Sequence, residues 1–168
     1  MSMELLFFQS DGMPDAEVIG ILETLKIQRQ RWIGSFHPES RIRRLALQTS
    51  GMKIGADTHL ALGLVVIDDY TNNVSIGERC SIGAYVTLMS ATGPDNSVLK
   101  DHPDLQHAIK TAPIVIGSDC WIGSGAIIMP GLTIANGSVI GAGAVVTKNV
   151  QDGEVVQGVP ACLVRVLA

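Results

Sequence analysis

The sequence predicts a mainly β fold, a parallel β-helix whose coils are built from six-residue repeats. An aliphatic residue recurs at every sixth position through the C-terminal part of the chain, at Ile116, Ile122, Ile128, Ile134, Ile140 and Val146. This period fits neither an amphipathic helix nor a strand with two faces, and it is typical of a hexapeptide β-helix. Composition agrees, because 46% of residues are apolar, only 4% are aromatic, and 18 are glycine. A narrow core of β-branched side chains with tight corners requires such a composition.

The same period is found earlier in the chain, at Ile54, Leu60 and Val66 and again at Ile76, Ile82 and Leu88. Parallel coils stack at a spacing of about 4.8 Å, so these residues are expected to form continuous apolar columns. A small or apolar residue follows each later anchor by four positions: Cys120, Ala126, Leu132, Ser138, Ala144 and Val150. Cys80 and Cys120 are therefore predicted to be buried structural thiols rather than disulfide partners or metal ligands.

Residues 1–50 lack the repeat and are predicted to form an N-terminal helical segment. Apolar spacing indicates one helix over residues 15–33 and a short second helix over residues 38–48, which ends before Gly51. The second helix carries three arginines that are expected to form a solvated face: Arg41, Arg43 and Arg44.

Residues 51–168 are predicted to form the β-helix, with an inserted loop at residues 89–114 and a C-terminal tail. The loop loses the repeat completely. A long insertion in a regular solenoid is usually functional or disordered, so the loop is the first place to look for a site.

Charge and hydropathy exclude several classes of partner. The net charge of −4 gives no indication of nucleic-acid binding. No apolar run approaches the length of a membrane span, and residues 1–8 lack the basic region of a signal peptide. The sequence therefore predicts a cytoplasmic protein.

Three stretches together carry a family resemblance: residues 116–134, residues 138–150 and Gly158-Val159-Pro160-Ala161. They resemble the hexapeptide-repeat acetyltransferases, nearest the galactoside/maltose/nodulation O-acetyltransferase branch, and Asp68-Asp69-Tyr70 belongs to the same likeness. The resemblance implies a left-handed β-helix, a homotrimer, and active sites between subunits that bind acetyl-CoA. The implied reaction is transfer of the acetyl group from acetyl-CoA to a hydroxyl acceptor, a sugar or saccharide.

The resemblance also implies which residues bind the two substrates. Six positions are similar to those that contact CoA in the family: Trp121, Ser124, Ala142, Thr147, Lys148 and Arg165. Small residues around Ala142 let a pantetheine arm approach the backbone, and Lys148 and Arg165 are expected to face the phosphates. On the acceptor side, Asp69 is similar to a family carboxylate, and His59 lies where the family often has an aromatic residue.

Direct acyl transfer requires a general base, which is typically a histidine. The family position for that base falls on Gly93, and the position of its supporting asparagine falls on Ala61. The nearest His-Pro pair lies further along the loop, so His102 is predicted to be the catalytic base. His107 and His59 are weaker candidates.

Two alternatives stay open. His102 and His107 have the spacing of two zinc ligands in γ-class carbonic anhydrases, and His59 would have to be the third ligand that a hydrolytic zinc site needs. The losses at Gly93 and Ala61 also suit a catalytically degenerate solenoid that serves as a scaffold. The main interpretation involves no metal, and the sequence leaves open the acceptor and the choice between O- and N-acetylation.

Overall fold

The computed structural model describes residues 12–68, 70–94 and 96–167. Three helices come first: α1 at Asp15–Glu23, α2 at Ile27–Phe36 and α3 at Ser40–Thr49. The strands that follow are β1 Lys53–Ile54, β2 His59–Leu60, β3 Val65–Ile67, β4 Val74–Ile76, β5 Ser81–Ile82, β6 Thr87–Met89, β7 Ala91–Thr92, β8 Lys110–Thr111, β9 Ile114–Ile116, β10 Trp121–Ile122, β11 Ile127–Ile128, β12 Thr133–Ile134, β13 Val139–Ile140, β14 Val145–Val146, β15 Glu154–Gln157 and β16 Cys162–Val166.

The strands form a three-sided coil. Successive strands join three sheets in rotation, with orders β1-β4-β9-β12, β2-β5-β10-β13-β15 and β3-β6-β11-β14. All pairs within these three runs are parallel and keep the anchors in register, as in the column Ile54–Ile76–Ile116–Ile134. The mainly β class with parallel strands, predicted from the six-residue period, is therefore confirmed. The tail strand β16 differs, because it pairs antiparallel with β15.

The core of the coil is the column of anchors together with the small residues beside them. Ile82, Leu88, Ile122 and Ile128 are completely buried, whereas Val66, which is in register with Leu88, is only partly buried and packs against this core. The thiols of Cys80 and Cys120 are buried and donate to the carbonyl oxygens of Gly117 and Ala135, at 3.0 and 3.1 Å.

The prediction of one helix over residues 15–33 is wrong, because the chain forms two helices separated by a turn at residues 24–26. Side chains bond to the carbonyl groups left free at the end of α1. Thr24 Oγ1 donates to the oxygen of Ile21 at 2.7 Å, and Gln30 Nε2 donates to the oxygens of Leu22 and Leu25 at 2.9 and 3.2 Å. These bonds satisfy carbonyls that would otherwise continue the helix.

The helices form a small apolar core of their own and attach to the coil through two buried arginines. Arg31 donates to Asp68 at 2.9 Å and to Asn72 at 3.0 Å. Arg43 donates to the carbonyl oxygen of Leu60 at 2.9 Å and to that of Pro38 at 2.8 Å. The expected solvated arginine face is thus wrong for Arg43, which is 4% exposed because these carbonyls and that of His37 surround its guanidinium. Within the described residues, the helices are too short and too polar to cross a membrane.

Candidate active site

The inserted loop is closed at its base by a short antiparallel pair. Strands β7 and β8 align Ala91 with Thr111 and Thr92 with Lys110. The amide of Ala112 donates to the oxygen of Ser90 at 2.8 Å, directly beside this pair. Two 3₁₀ helices, Val98–Asp101 and Pro103–Ala108, occupy the outer part of the loop. The described residues of the loop therefore form a projection from the coil that has secondary structure of its own.

A cavity of about 450 Å³ lies between the loop and the outer face of the third sheet. Strands β3 and β6 contribute Ile67 and Met89, and the remaining lining comes from the loop: Ala91, Thr92, Gly93, Pro94, Lys100, Ile109 and Thr111. Most of these side chains are apolar. Within the described part of the chain, Lys100 is the one charged side chain in the lining.

His102 lies where the two 3₁₀ helices meet, and half of its side chain is exposed. Its Nδ1 accepts from the backbone amide of Asp104 at 3.3 Å and lies 4.0 Å from Asp104 Oδ2. A neutral imidazole whose Nδ1 accepts a hydrogen bond carries its proton on Nε2. Proton abstraction by Nε2 requires the other tautomer, with the proton on Nδ1, and this tautomer has to give up the bond from the Asp104 amide. His102 does not line the cavity, although Lys100 two residues earlier does.

The two weaker candidates for the base, His59 and His107, lie in separate places. His59 is exposed on β2, on the outer face of the second sheet, where Ser81 separates it from Trp121 in the register. His107 is exposed near the end of the second 3₁₀ helix. No cluster of three histidine, cysteine, aspartate or glutamate side chains suited to a metal ion occurs among residues 12–68, 70–94 and 96–167. The carbonic-anhydrase-like alternative needs His59, His102 and His107 together, so the structure does not favour it.

The six residues expected to bind CoA occupy three regions. Ser124 and Ala142 stack on one corner of the coil, where the amide of Gly143 donates to the oxygen of Ser124 at 2.9 Å, and both residues are exposed. Trp121, 61% exposed, lies on the outer face of the second sheet, and Arg165 lies on its free edge strand β16. Thr147 and Lys148 are exposed at the next corner, just after β14. A single protomer therefore does not bring all six around one point.

The expected acceptor carboxylate, Asp69, lies outside the described residues. Its neighbour Asp68 is 2% exposed, ion-paired with Arg31, and accepts from the amide of Tyr70 at 3.1 Å. Asp68 thus holds the helices against the coil. Sequence reasoning did not single out Lys100, because a lysine in a non-repeating loop carries no positional signal.

Comparison with known proteins assigns the chain to a family. The family described as "Bacterial transferase hexapeptide (six repeats)" matches residues 113–148. A putative colanic acid biosynthesis acetyltransferase, WcaF of Escherichia coli (strain K12), is 30% identical over 138 residues, which are 74% of this chain and 75% of the relative. The chain belongs to the hexapeptide-repeat acetyltransferase family.

Other acetyltransferases are also similar to this chain in sequence and in structure. The galactoside O-acetyltransferase of Escherichia coli (strain K12) is 38% identical over 116 residues, 69% of this chain and 54% of the relative. The chain thus spans about half the length of several curated relatives that it matches. Among solved structures, a galactoside acetyltransferase in complex with coenzyme A gives a TM-score of 0.68 at 28% identity, covering 94% of this chain and 92% of the other.

Proposed function

We propose that this member of the family is a CoA-dependent O-acetyltransferase, which moves an acetyl group from acetyl-CoA to a hydroxyl group of a saccharide. The observation that carries the proposal is the likeness, over 92% of its length, to a galactoside acetyltransferase whose structure contains CoA. The exposed corner of small residues at Ser124 and Ala142 suits the approach of a pantetheine arm. The names of relatives, which include galactoside, colanic acid and polySia enzymes, support a saccharide acceptor.

The proposed enzyme is a homotrimer with left-handed coils, in which residues 51–168 are the β-helix domain and residues 1–50 are the N-terminal helical segment. Two protomers are needed because the CoA-side residues lie on one corner, on the adjacent sheet and on the next corner. The cytoplasm is the proposed location, since acetyl-CoA is available there.

His102 is the proposed general base. Its Nε2 takes the proton of the acceptor hydroxyl as that oxygen attacks the thioester carbonyl carbon. The tetrahedral intermediate then breaks its C–S bond, and the imidazolium returns the proton to the departing CoA sulfur. A backbone N–H near the thioester is the expected donor to the developing oxyanion. Asp104 is the proposed orienting partner once the proton lies on Nδ1, because its Oδ2 lies 4.0 Å from that atom and a small rotation of the imidazole would bring the two into hydrogen-bond distance.

We expect His102→Ala to lower kcat for acetyl transfer roughly 10²–10⁴-fold, which is the usual contribution of a general base. The matched control is His107→Ala, an exposed histidine of the same loop, which should retain activity. Acetyl transfer is measured by release of the CoA thiol across a panel of saccharides, and CoA affinity by calorimetry. CoA affinity should be unchanged in both variants.

Full activity in the His102→Ala variant would contradict the assignment of the base. An inactive parent protein that still binds acetyl-CoA would instead support the scaffold alternative. A further check is Asp104→Asn, which should lower kcat and shift its pH profile while leaving the fold intact, because Asp104 is exposed.

A further inference from the structure

We propose that the cavity beneath the loop is the acceptor pocket and that it selects a saccharide carrying an anionic group, a carboxylate or a phosphate, over a neutral one. The proposal rests on the proposed acetyl transfer for its reaction. Its binding preference comes from the lining of the cavity alone, so the two can be tested separately.

The size and surface of the cavity suit a sugar ring. Its volume of about 450 Å³ lies within the range of small-molecule sites, which are mostly apolar with a few polar groups. Ile67 and Met89 from the coil and Ile109 from the loop all line the cavity, and the C–H face of a pyranose ring can pack against such side chains. The hydroxyl groups of Thr92 and Thr111 are available to hydrogen-bond with hydroxyl groups of the sugar.

Lys100 gives the cavity a positive charge. No carboxylate among the described residues lines the cavity or forms an ion pair with Lys100. Gln106 Nε2 donates to the carbonyl oxygen of Lys100 at 2.7 Å, which ties the main chain at Lys100 to the second 3₁₀ helix. Lys100 is itself exposed, so solvent weakens its attraction for an anion, but apolar walls on one side make that attraction stronger than in bulk water. An anionic group on the ligand is therefore the partner that this lysine lacks.

Gly93 supplies the space on one side of the cavity. A Cβ atom at this position would meet only Ile109 Cγ2, at 3.5 Å, which is an ordinary contact. Its backbone is outside the left-handed region, so larger residues can occupy the position without backbone strain. A leucine here should therefore fold normally and fill part of the pocket, which provides a steric test that is independent of charge.

The first experiment compares methyl β-D-glucuronide with methyl β-D-glucuronamide, which share a ring and differ in the charge of one group. Binding is measured by NMR titration without acetyl-CoA. The protein should bind the glucuronide roughly two- to fivefold more tightly than the amide, which is the range for a charge pair made by an exposed lysine. Lys100→Gln should abolish this preference. The control Lys53→Gln, an exposed lysine on the first sheet, should retain it.

The second experiment uses Gly93→Leu, which should weaken binding of both ligands. Its control is Gly20→Leu, since Gly20 is an exposed helical glycine with open space around it. Equal affinity for the two ligands, an unchanged preference in Lys100→Gln, or no detectable glucuronide binding at tens of millimolar would overturn the proposal.

Acetyl transfer to the same two compounds separates this proposal from the proposed function. If the protein acetylates the glucuronide and the glucuronamide with equal kcat/KM, and Lys100→Gln does not change either value, the anionic preference is overturned. The proposed enzyme class would still stand. A binding preference lost in Lys100→Gln, with no acetyl transfer to either compound, would support the pocket and count against the reaction.

Discussion

At the scale of single residues, Arg43 joins the helices to the first coil. Its guanidinium donates to carbonyl oxygens of Leu60, His37 and Pro38, so one side chain satisfies acceptors from the coil and from the turn before α3. Burial lowers the pKa of Arg43, but a guanidinium remains charged at neutral pH. The carbonyl groups compensate for the water that this charge has lost.

We predict that Arg43→Met lowers the free energy of unfolding by about 2–4 kcal/mol, because it leaves buried carbonyl groups without a donor. Arg44→Met is the matched control, since Arg44 is the adjacent residue on α3 and lies at a partly exposed position. Urea denaturation followed by circular dichroism measures both. Equal midpoints for the two variants would contradict the role given to Arg43.

At the scale of elements, the corner between the second and third sheets depends on residues without bulk. A Cβ atom on Gly123 would lie 2.5 Å from the backbone nitrogen of Ala142, and one on Gly83 would lie 2.5 Å from that of Ser124. These neighbours are backbone atoms of the next coil, which cannot rotate away. The stacking of successive coils at this corner, where CoA is proposed to lie, therefore requires glycine.

We predict that Gly123→Ala lowers the free energy of unfolding by at least about 2 kcal/mol, since the coils must separate to admit the methyl group. It should also weaken CoA binding, because the exposed corner would be displaced. Gly20→Ala in α1 has open space and should instead stabilise the protein by up to about 1 kcal/mol. Thermal unfolding and calorimetry with CoA check both variants. A Gly123→Ala protein as stable as the parent would contradict the account of the corner.

At the scale of the whole molecule, the three-sided coil places the residues expected to bind CoA on different sides of the protomer. Lys148 follows β14 at one corner, whereas Arg165 lies on the antiparallel tail strand at the edge of the second sheet. The faces of a three-sided coil point in different directions, so these cations serve one ligand only if protomers assemble side by side. The proposed trimer and the proposed CoA site therefore depend on each other.

We predict that the Lys148→Ala/Arg165→Ala double variant binds CoA more weakly, with each charge-assisted contact worth about 1–3 kcal/mol. Calorimetry measures the affinity, and Lys53→Ala/Arg44→Ala is a control of equal charge placed elsewhere. Light scattering should show a trimer for both variants and for the parent protein. An unchanged CoA affinity in the first variant, or a stable monomer at micromolar concentration, would contradict this arrangement.

The sequence by itself determined the repeating part of this protein. Every inward position of a coil has similar surroundings, so the six-residue period alone predicts that Ile116, Ile122 and Ile128 are buried. The burial of Cys80 and Cys120 was predicted from the same period.

The tertiary structure decided the parts of the chain that have no repeat. Arg41, Arg43 and Arg44 look equivalent in sequence, yet only the position of the Leu60 carbonyl determines which of them is buried. The cavity likewise joins Ile67 and Met89 on the coil with Lys100 and Ile109 in the loop, through contacts between distant segments that no local pattern encodes.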